Sequence, residues 1–216
     1  MRAPRCVAGI ALLAVAASLH AAAPSPERVI ELCAQVDGPA HCGRLVEAEQ
    51  LKGLPNLAVR DGDTLKVTLF PSGLRTFVDD TASRNGTTYA LWDYWSPVNA
   101  VLLFTTNGER LGYAVLQRAG GQLTVLPAEP MLAPDRQRLA IADFCAKSCD
   151  NEISIWRIAR EGIRKEYGWK PAAAAWTDVN VAWKEPDVLT IQYTLANEET
   201  PRTLERPLAA TDWRRF

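Results

Sequence analysis

From Asp61 onward, short apolar runs are interrupted again and again by Gly, Pro, Asn and Asp, and this punctuation leaves room for little but short strands. "TLKVTLF" sets the pattern. Leu65, Val67 and Leu69 fall on one face, and Lys66 and Thr68 on the other. A side-chain period of two belongs to a strand, whereas the stretch before Gly53 repeats with a helical period. The switch near Leu65 predicts antiparallel sheet from about Asp61 to the C-terminus. Helix is confined to the leader and to residues 26–53.

The strands differ in how many faces they hide. "AVLLF", "GYAVL" and "ISIWRI" are apolar on both sides, while "TLKVTLF" and "LTIQYTL" alternate. A strand apolar on both faces needs cover on both faces. Central sheets held between one-sided outer ones satisfy both patterns. A weak internal repeat agrees. "DGDTLKVTLF", "SPVNAVLLF", "APDRQRLAI" and "EPDVLTIQY" each set a turn before an apolar strand, with turns near residues 61, 97, 134 and 186. The first two intervals approach a blade-sized period of about 40 residues, and the longer third one contains Cys145 to Asp150. The expected fold class is all-β: an antiparallel meander of blade-like units, a partial propeller or a sandwich, preceded by a short N-terminal helical hairpin.

The N-terminus sets the compartment. Arg2 and Arg5 precede the uncharged run "CVAGIALLAVAASL", and Ala21, Ala22 and Ala23 follow it, the pattern of a secretory signal peptide over residues 1–23. Pro24 makes the bond after Ala23 a poor cleavage site, so the cut falls elsewhere between His20 and Pro24, or the segment stays as an anchor. The expected location is periplasmic or secreted. Residues 24–56 then read as a helical hairpin and residues 57–216 as the all-β domain. Ser25 caps the first helix and Pro26 suits its first position, with Gly38-Pro39 as the stop. A second helix runs from about Ala40 to Lys52 and ends at Gly53.

Four cysteines follow the leader: Cys33, Cys42, Cys145 and Cys149. An oxidising compartment favours two disulfides, and we pair Cys33 with Cys42 and Cys145 with Cys149 because each pair brackets one turn. A four-cysteine zinc site is the alternative, but the spacing between Cys33 and Cys42 is too long for it. No cofactor or metal is expected. Of the 24 Lys and Arg residues two lie in the leader, which leaves a small negative balance against 25 Asp and Glu. No basic block marks nucleic acid as a partner, and no second apolar run is long enough to span a membrane.

The segment "LAPDRQRLAIAD…NEISIWRIAREG", residues 132–162, resembles the Ser-Pro-Asp-Gly blade motif of Tol-system periplasmic β-propellers, with Ala133 in place of the Ser and Arg136 in place of the Gly. The span from "TTYALWDYWSP" to the Trp-rich end resembles uncharacterised secreted proteins of Gram-negative bacteria. The first likeness implies blades and the second an envelope setting; neither implies an activity.

Chemical motifs are sparse. Outside the leader His41 is the single histidine, beside a cysteine read as oxidised, so a catalytic triad has poor material. Asp61 and Asp63, Asp79 and Asp80, and Asp143 and Asp150 form close acid pairs that could serve glycoside hydrolysis or calcium, although Asp-Gly-Asp is ordinary turn chemistry. Aromatic residues are the denser signal. Trp92, Tyr94 and Trp95 cluster, and Trp169, Trp176 and Trp183 recur at a spacing of seven, where Pro171 and "DVNVAW" oppose a helix. Core packing is the usual role of such residues. The functional alternative is stacking on a sugar ring or anchoring a protein, and these six are the candidate ligand-binding residues. The expected function is a non-enzymatic binding or interaction module of the envelope, with a protein or glycan as partner. A carbohydrate-acting enzyme using a carboxylate pair and a structural or inhibitory partner protein are the alternatives.

Overall fold

The computed structural model describes residues 24–83, 85–108, 110–171, 176–196 and 198–216. The leader expected over residues 1–23 lies outside them. Helix α1 (Pro26–Cys33) begins where Ser25 Oγ accepts the Arg28 amide at 3.3 Å. It ends at Cys33, ahead of the expected stop at Gly38-Pro39, where the bridge to Cys42 turns the chain. Helix α2 (Pro39–Gly53) follows Gly38, whose φ of 99° suits glycine. Both expected disulfides are present, with Cα atoms 5.0 Å apart for Cys33–Cys42 and 5.3 Å for Cys145–Cys149. Their thiolates are therefore not free to hold zinc. No α-helix follows Gly53 among the described residues, and none is long and apolar enough to cross a membrane.

The rest is four antiparallel meander sheets. The first holds β1 (Ala58–Asp61), β2 (Thr64–Thr68) and β3 (Leu74–Val78). The second holds β4 (Thr87–Trp95), β5 (Ala100–Asn107), β6 (Arg110–Gln117) and β7 (Gln122–Leu126). The third is built from β8 (Pro130–Leu132), β9 (Arg138–Asp143), β10 (Glu152–Ala159) and β11 (Gly162–Trp169). The fourth comprises β12 (Trp176–Glu185), β13 (Val188–Leu195) and β14 (Arg202–Pro207), after which β15 (Arg214–Arg215) returns to the edge of the third beside β11. Each turn of the sequence repeat joins the first two strands of one sheet, so the repeat unit is the sheet. In the third sheet's turn Arg136 takes a φ of 63°, a backbone conformation that glycine adopts most readily.

Face-to-face packing explains the two kinds of strand. Leu65, Val67 and Phe77 of the first sheet meet Leu91, Val101, Leu103 and Leu116 of the second. The opposite face of the second sheet, with Leu102, Phe104 and Val115, meets Leu139, Ile141 and Ile163 of the third. Ile153 and Ile155 of the third meet Val181, Leu189 and Ile191 of the fourth. Strands apolar on both sides thus lie in the two inner sheets, and the alternating β2 and β13 lie in the outer ones.

Strand β4 is an edge, and its outward groups at Thr87, Tyr89 and Leu91 are engaged from outside the sheet. The Leu91 amide donates to Glu47 Oε2 at 2.9 Å, the Tyr89 amide to Asp79 Oδ1 at 2.8 Å, and the Asp80 amide to the Thr87 carbonyl at 2.9 Å. Arg60 donates to the Tyr89 carbonyl and, through Nε and Nη2, to both oxygens of Glu47 at 2.7 Å. Arg44 adds a contact to Asp79 at 3.2 Å. Gly43 lets α2 approach this closely, since a Cβ there would lie 2.8 Å from the Phe104 ring. Asp79, a member of one of the close acid pairs, is 8 % exposed and is an edge cap.

Two outcomes follow. Glu47 is 2 % exposed, so Glu47→Ala strips Arg60 of its bidentate partner, leaving it the longer ion pair with Asp79 at 3.4 Å, and leaves the Leu91 amide without an acceptor. Urea unfolding should show a loss of about 3–5 kcal/mol; a loss below about 1 kcal/mol, the scale of an exposed ion pair, would contradict the edge-cap account. Asp93 is also buried, with its Oδ1 accepting the Tyr94 amide at 2.7 Å, and burial raises its pKa. A raised acid favours folding while protonated and loses that contribution as pH rises through its folded pKa. Asp93→Asn should therefore be more stable than wild type at pH 7. The gain should shrink as pH falls towards the ordinary value of 3.8, and melting curves across pH check it.

Candidate functional site

The core between the third and fourth sheets turns aromatic at one end. Strand alternation sets this up. Tyr193 continues the inward row of Leu189 and Ile191, Tyr167 and Trp169 lie opposite Ile155 and Ile153, and Trp176 lies opposite Leu195. Trp176 is the hub. Its ring stacks on Tyr193 at 3.8 Å and 11°, lies 6.0 Å from Phe144 at 18°, and meets Trp169 edge-on at 5.6 Å and 67°.

Two clefts open beside this cluster. The first, of about 600 Å³, is lined by Phe144, Cys145, Asn151, Trp176, Thr177 and Asp178, with Ala146, Pro171 and Ala196 completing the wall. Tyr193 stacks on Trp176 without itself lining this cleft. Asn151 and Asp178 have φ values of 51° and 48°, two of the four non-glycine residues in the left-handed region among those described. The stapled loop forms one wall and is tied down by its own polar groups. Asn151 Oδ1 accepts the Cys145 amide at 3.2 Å, and Asp143 Oδ2 accepts the Asp150 amide at 3.0 Å across the neck. Asp143 and Asp150 thus act as loop ties.

The second cleft, of about 510 Å³, is lined by Glu152, Gly168, Trp169, Lys170, Asp212 and Arg214. Both of its acids are paired. Glu152 pairs with Lys165, and a Cβ on Gly168 would sit 2.8 Å from Glu152 Oε2, so glycine makes room for the carboxylate. Arg206 pairs with Asp212 at 2.5 Å, and its guanidinium lies against two indoles, 3.8 Å from the Trp169 ring centre and 4.8 Å from that of Trp213. Arg206 holds the Asp212 carboxyl below its ordinary pKa, helped by the Trp169 Nε1–H bond at 3.2 Å. A glycosidase needs one acid pushed up so that it can donate a proton. Asp212 is shifted the other way.

The structure divides the six aromatic candidates. Trp169 and Trp176 meet at the clefts. Trp92 and Trp95 are buried between the second and third sheets, where Trp92 Nε1 donates to Glu129 at 2.8 Å. Tyr94 is half-buried, and its hydroxyl meets Arg118 at 3.1 Å and Asn99 at 3.3 Å. Trp183 Nε1 donates to the Met131 carbonyl at 2.9 Å, tying the fourth sheet to the third. The sequence reading missed Phe144, Tyr193, Trp213 and Arg206. Tyr193 could have been found by extending the alternation of "LTIQYTL". Asp61 and Asp63 lie at the β1–β2 turn, and Asp80 accepts the Ala82 and Ser83 amides in a local turn. His41 is exposed on α2. No group of three or more His, Cys, Asp and Glu side chains placed for a metal ion occurs among the described residues.

No protein-family model matches the chain, and no curated protein sequence matches it. The geometry of the clefts therefore carries the functional reading.

The stapled loop yields a measurable expectation. On the chain-entropy model a bridge closing so short a loop contributes about 2 kcal/mol. Replacing Cys145 and Cys149 together by Ser should lower Tm by about 4–8 °C in calorimetry. An unchanged Tm would mean that the Asn151 and Asp143 ties hold the loop without the bridge.

Proposed function

We propose that this chain is an exported, non-enzymatic binding module of the cell envelope, periplasmic or secreted, whose ligand site is the cleft at Trp176. The observation that carries the reading is Trp176, stacked on Tyr193 and lining a cleft of about 600 Å³ together with Asn151, Thr177 and Asp178. Small-molecule sites are mostly apolar concavities with a few convergent polar groups, and the cleft has that composition. A ring already held by stacking loses little side-chain freedom when a ligand lands on it. Both disulfides and the leader pattern support an oxidising compartment. The blade likeness of residues 132–162 is in keeping with the left-handed turn at Arg136, where the Tol-system motif carries Gly.

The hydrolase alternative draws on Glu152 and Asp212, which share the second cleft. Each is matched by a cation, and Arg206 holds Asp212 in its ionised form, so Asp212 is not the proton donor of such a pair. The reading as a structural or inhibitory partner has no comparable geometric support.

Thermal melting in fractions of soluble envelope extract tests the binding reading. Ligand at about 100 times its Kd adds about 2.7 kcal/mol, roughly 5–11 °C for a chain of this size. Some fraction should raise the Tm of wild type and leave Ala146→Trp unmoved, since an indole on this exposed loop residue fills the cleft without disturbing the core. A fraction that stabilises both proteins equally would place the site elsewhere.

A further inference from the structure

Resting on that reading, we infer that the ligand of the Trp176 cleft is a neutral saccharide, with one pyranose ring lying flat against the indole. Ring geometry is the first ground. The planes of Phe144, Trp176 and Tyr193 are near-parallel, at 18° and 11°, and Phe144 and Trp176 both line the cleft, so its aromatic surface is made of flat, parallel rings. Recognition of a compact cation calls for rings set around a point as a cage. A flat aromatic surface instead fits a ring with one apolar face. The C–H groups of a pyranose supply that face, and their slight positive charge suits the negative face of the indole.

Lining charge is the second ground. Among the described residues, no Lys or Arg lines this cleft, and Asp178 is the one charged residue that does. Phosphate-bearing and carboxylate-bearing ligands, nucleotides among them, would meet repulsion without a compensating cation. Neutral hydroxyls meet the opposite situation. A carboxylate accepts from sugar hydroxyls, the Thr177 hydroxyl can accept or donate, and Asn151 keeps its amide hydrogens as donors because its Oδ1 already accepts the Cys145 amide. Acceptors and donors thus sit at the lip, where the hydroxyl edge of a ring stacked on Trp176 would project.

The left-handed backbone is the third ground. Asn151 follows the stapled loop and Asp178 lies where the pairing of β12 with β13 shifts register, and both turn their chain at the cleft margin. Asn and Asp tolerate this conformation better than other non-glycine residues, so the two polar groups are held in place by backbone as well as by side chain. The cleft, at about 600 Å³, is within the range of small-molecule sites and exceeds what one bound water or ion would need.

The test uses the whole chain after export, with maltotriose, cellotriose, chitotriose and xylotriose as probes, and tetramethylammonium and AMP as probes of the competing classes. Indole N–H resonances of the seven tryptophans report the site, with Trp176 assigned from Trp176→Phe. At least one trisaccharide should shift the Trp176 resonance in a saturable way while leaving buried Trp92 in place. Ala146→Trp and Asp178→Ala should each weaken that binding by about tenfold or more. If no trisaccharide moves Trp176, or if a bound one is unaffected by Ala146→Trp, the saccharide inference fails. Should tetramethylammonium or AMP move Trp176 and Ala146→Trp block it, the ligand class is wrong and the cleft remains a binding site. If no probe moves Trp176, both the class and the binding reading are overturned.

Discussion

The carboxylate of Glu47 is the interaction on which the architecture turns. A row of sheets packed face to face leaves edge strands, and an edge next to a helix must satisfy its outward backbone groups without water. On β4 that task falls to side chains from three different elements. Glu47 comes from α2, Arg60 from β1, and Asp79 follows β3, and together they bond Tyr89 and Leu91. Arg60 grips both oxygens of Glu47, so the buried acid has full compensation. The helical hairpin, the first sheet and the second sheet are thereby fastened at one point.

From that point the packing propagates by alternation. Each inner sheet offers one apolar face to each neighbour, and the outer sheets offer one face each. The logic was legible in the sequence because burial on two faces and on one leave different patterns, as "AVLLF" and "LTIQYTL" show. The turns near residues 61, 97, 134 and 186 also marked the unit correctly, one per sheet. The edge cap was not legible. Within "LVEAEQ" Glu47 resembles any solvent-facing helical acid, and "VDD" resembles any strand end. Their burial depends on partners 13 and 44 residues away in one case and 10 in the other. Local periodicity carries no information at that range.

The candidate site was half legible for the same reason. Tryptophan density pointed to the right residue type, and alternation can assign a side chain to a face. Neither says which sheet covers that face. Trp92 and Trp95 meet the third sheet and are buried, whereas Trp169 and Trp176 lie where the third and fourth sheets end, so they reach the clefts. The sequence pairs Cys145 with Cys149 across one turn, which makes the bridge a clamp on the β9–β10 pair. Strands β9 and β10 run in register from Asp143 opposite Glu152 to Arg138 opposite Arg157, and the stapled loop between them is also a wall of the Trp176 cleft. One covalent tie thus joins the β9–β10 pair to the wall of the Trp176 cleft.

If the Glu47 network is the fastening of the fold, the outward amides of β4 must be as protected as any inside a sheet. Native-state hydrogen exchange on Tyr89 and Leu91 measures this directly, with the Leu103 amide in the middle of the second sheet as the reference. The account predicts that Tyr89 and Leu91 exchange only with global unfolding, at the free energy found for Leu103. Exchange at the rates of an open edge, such as the outward amides of β14, would contradict it.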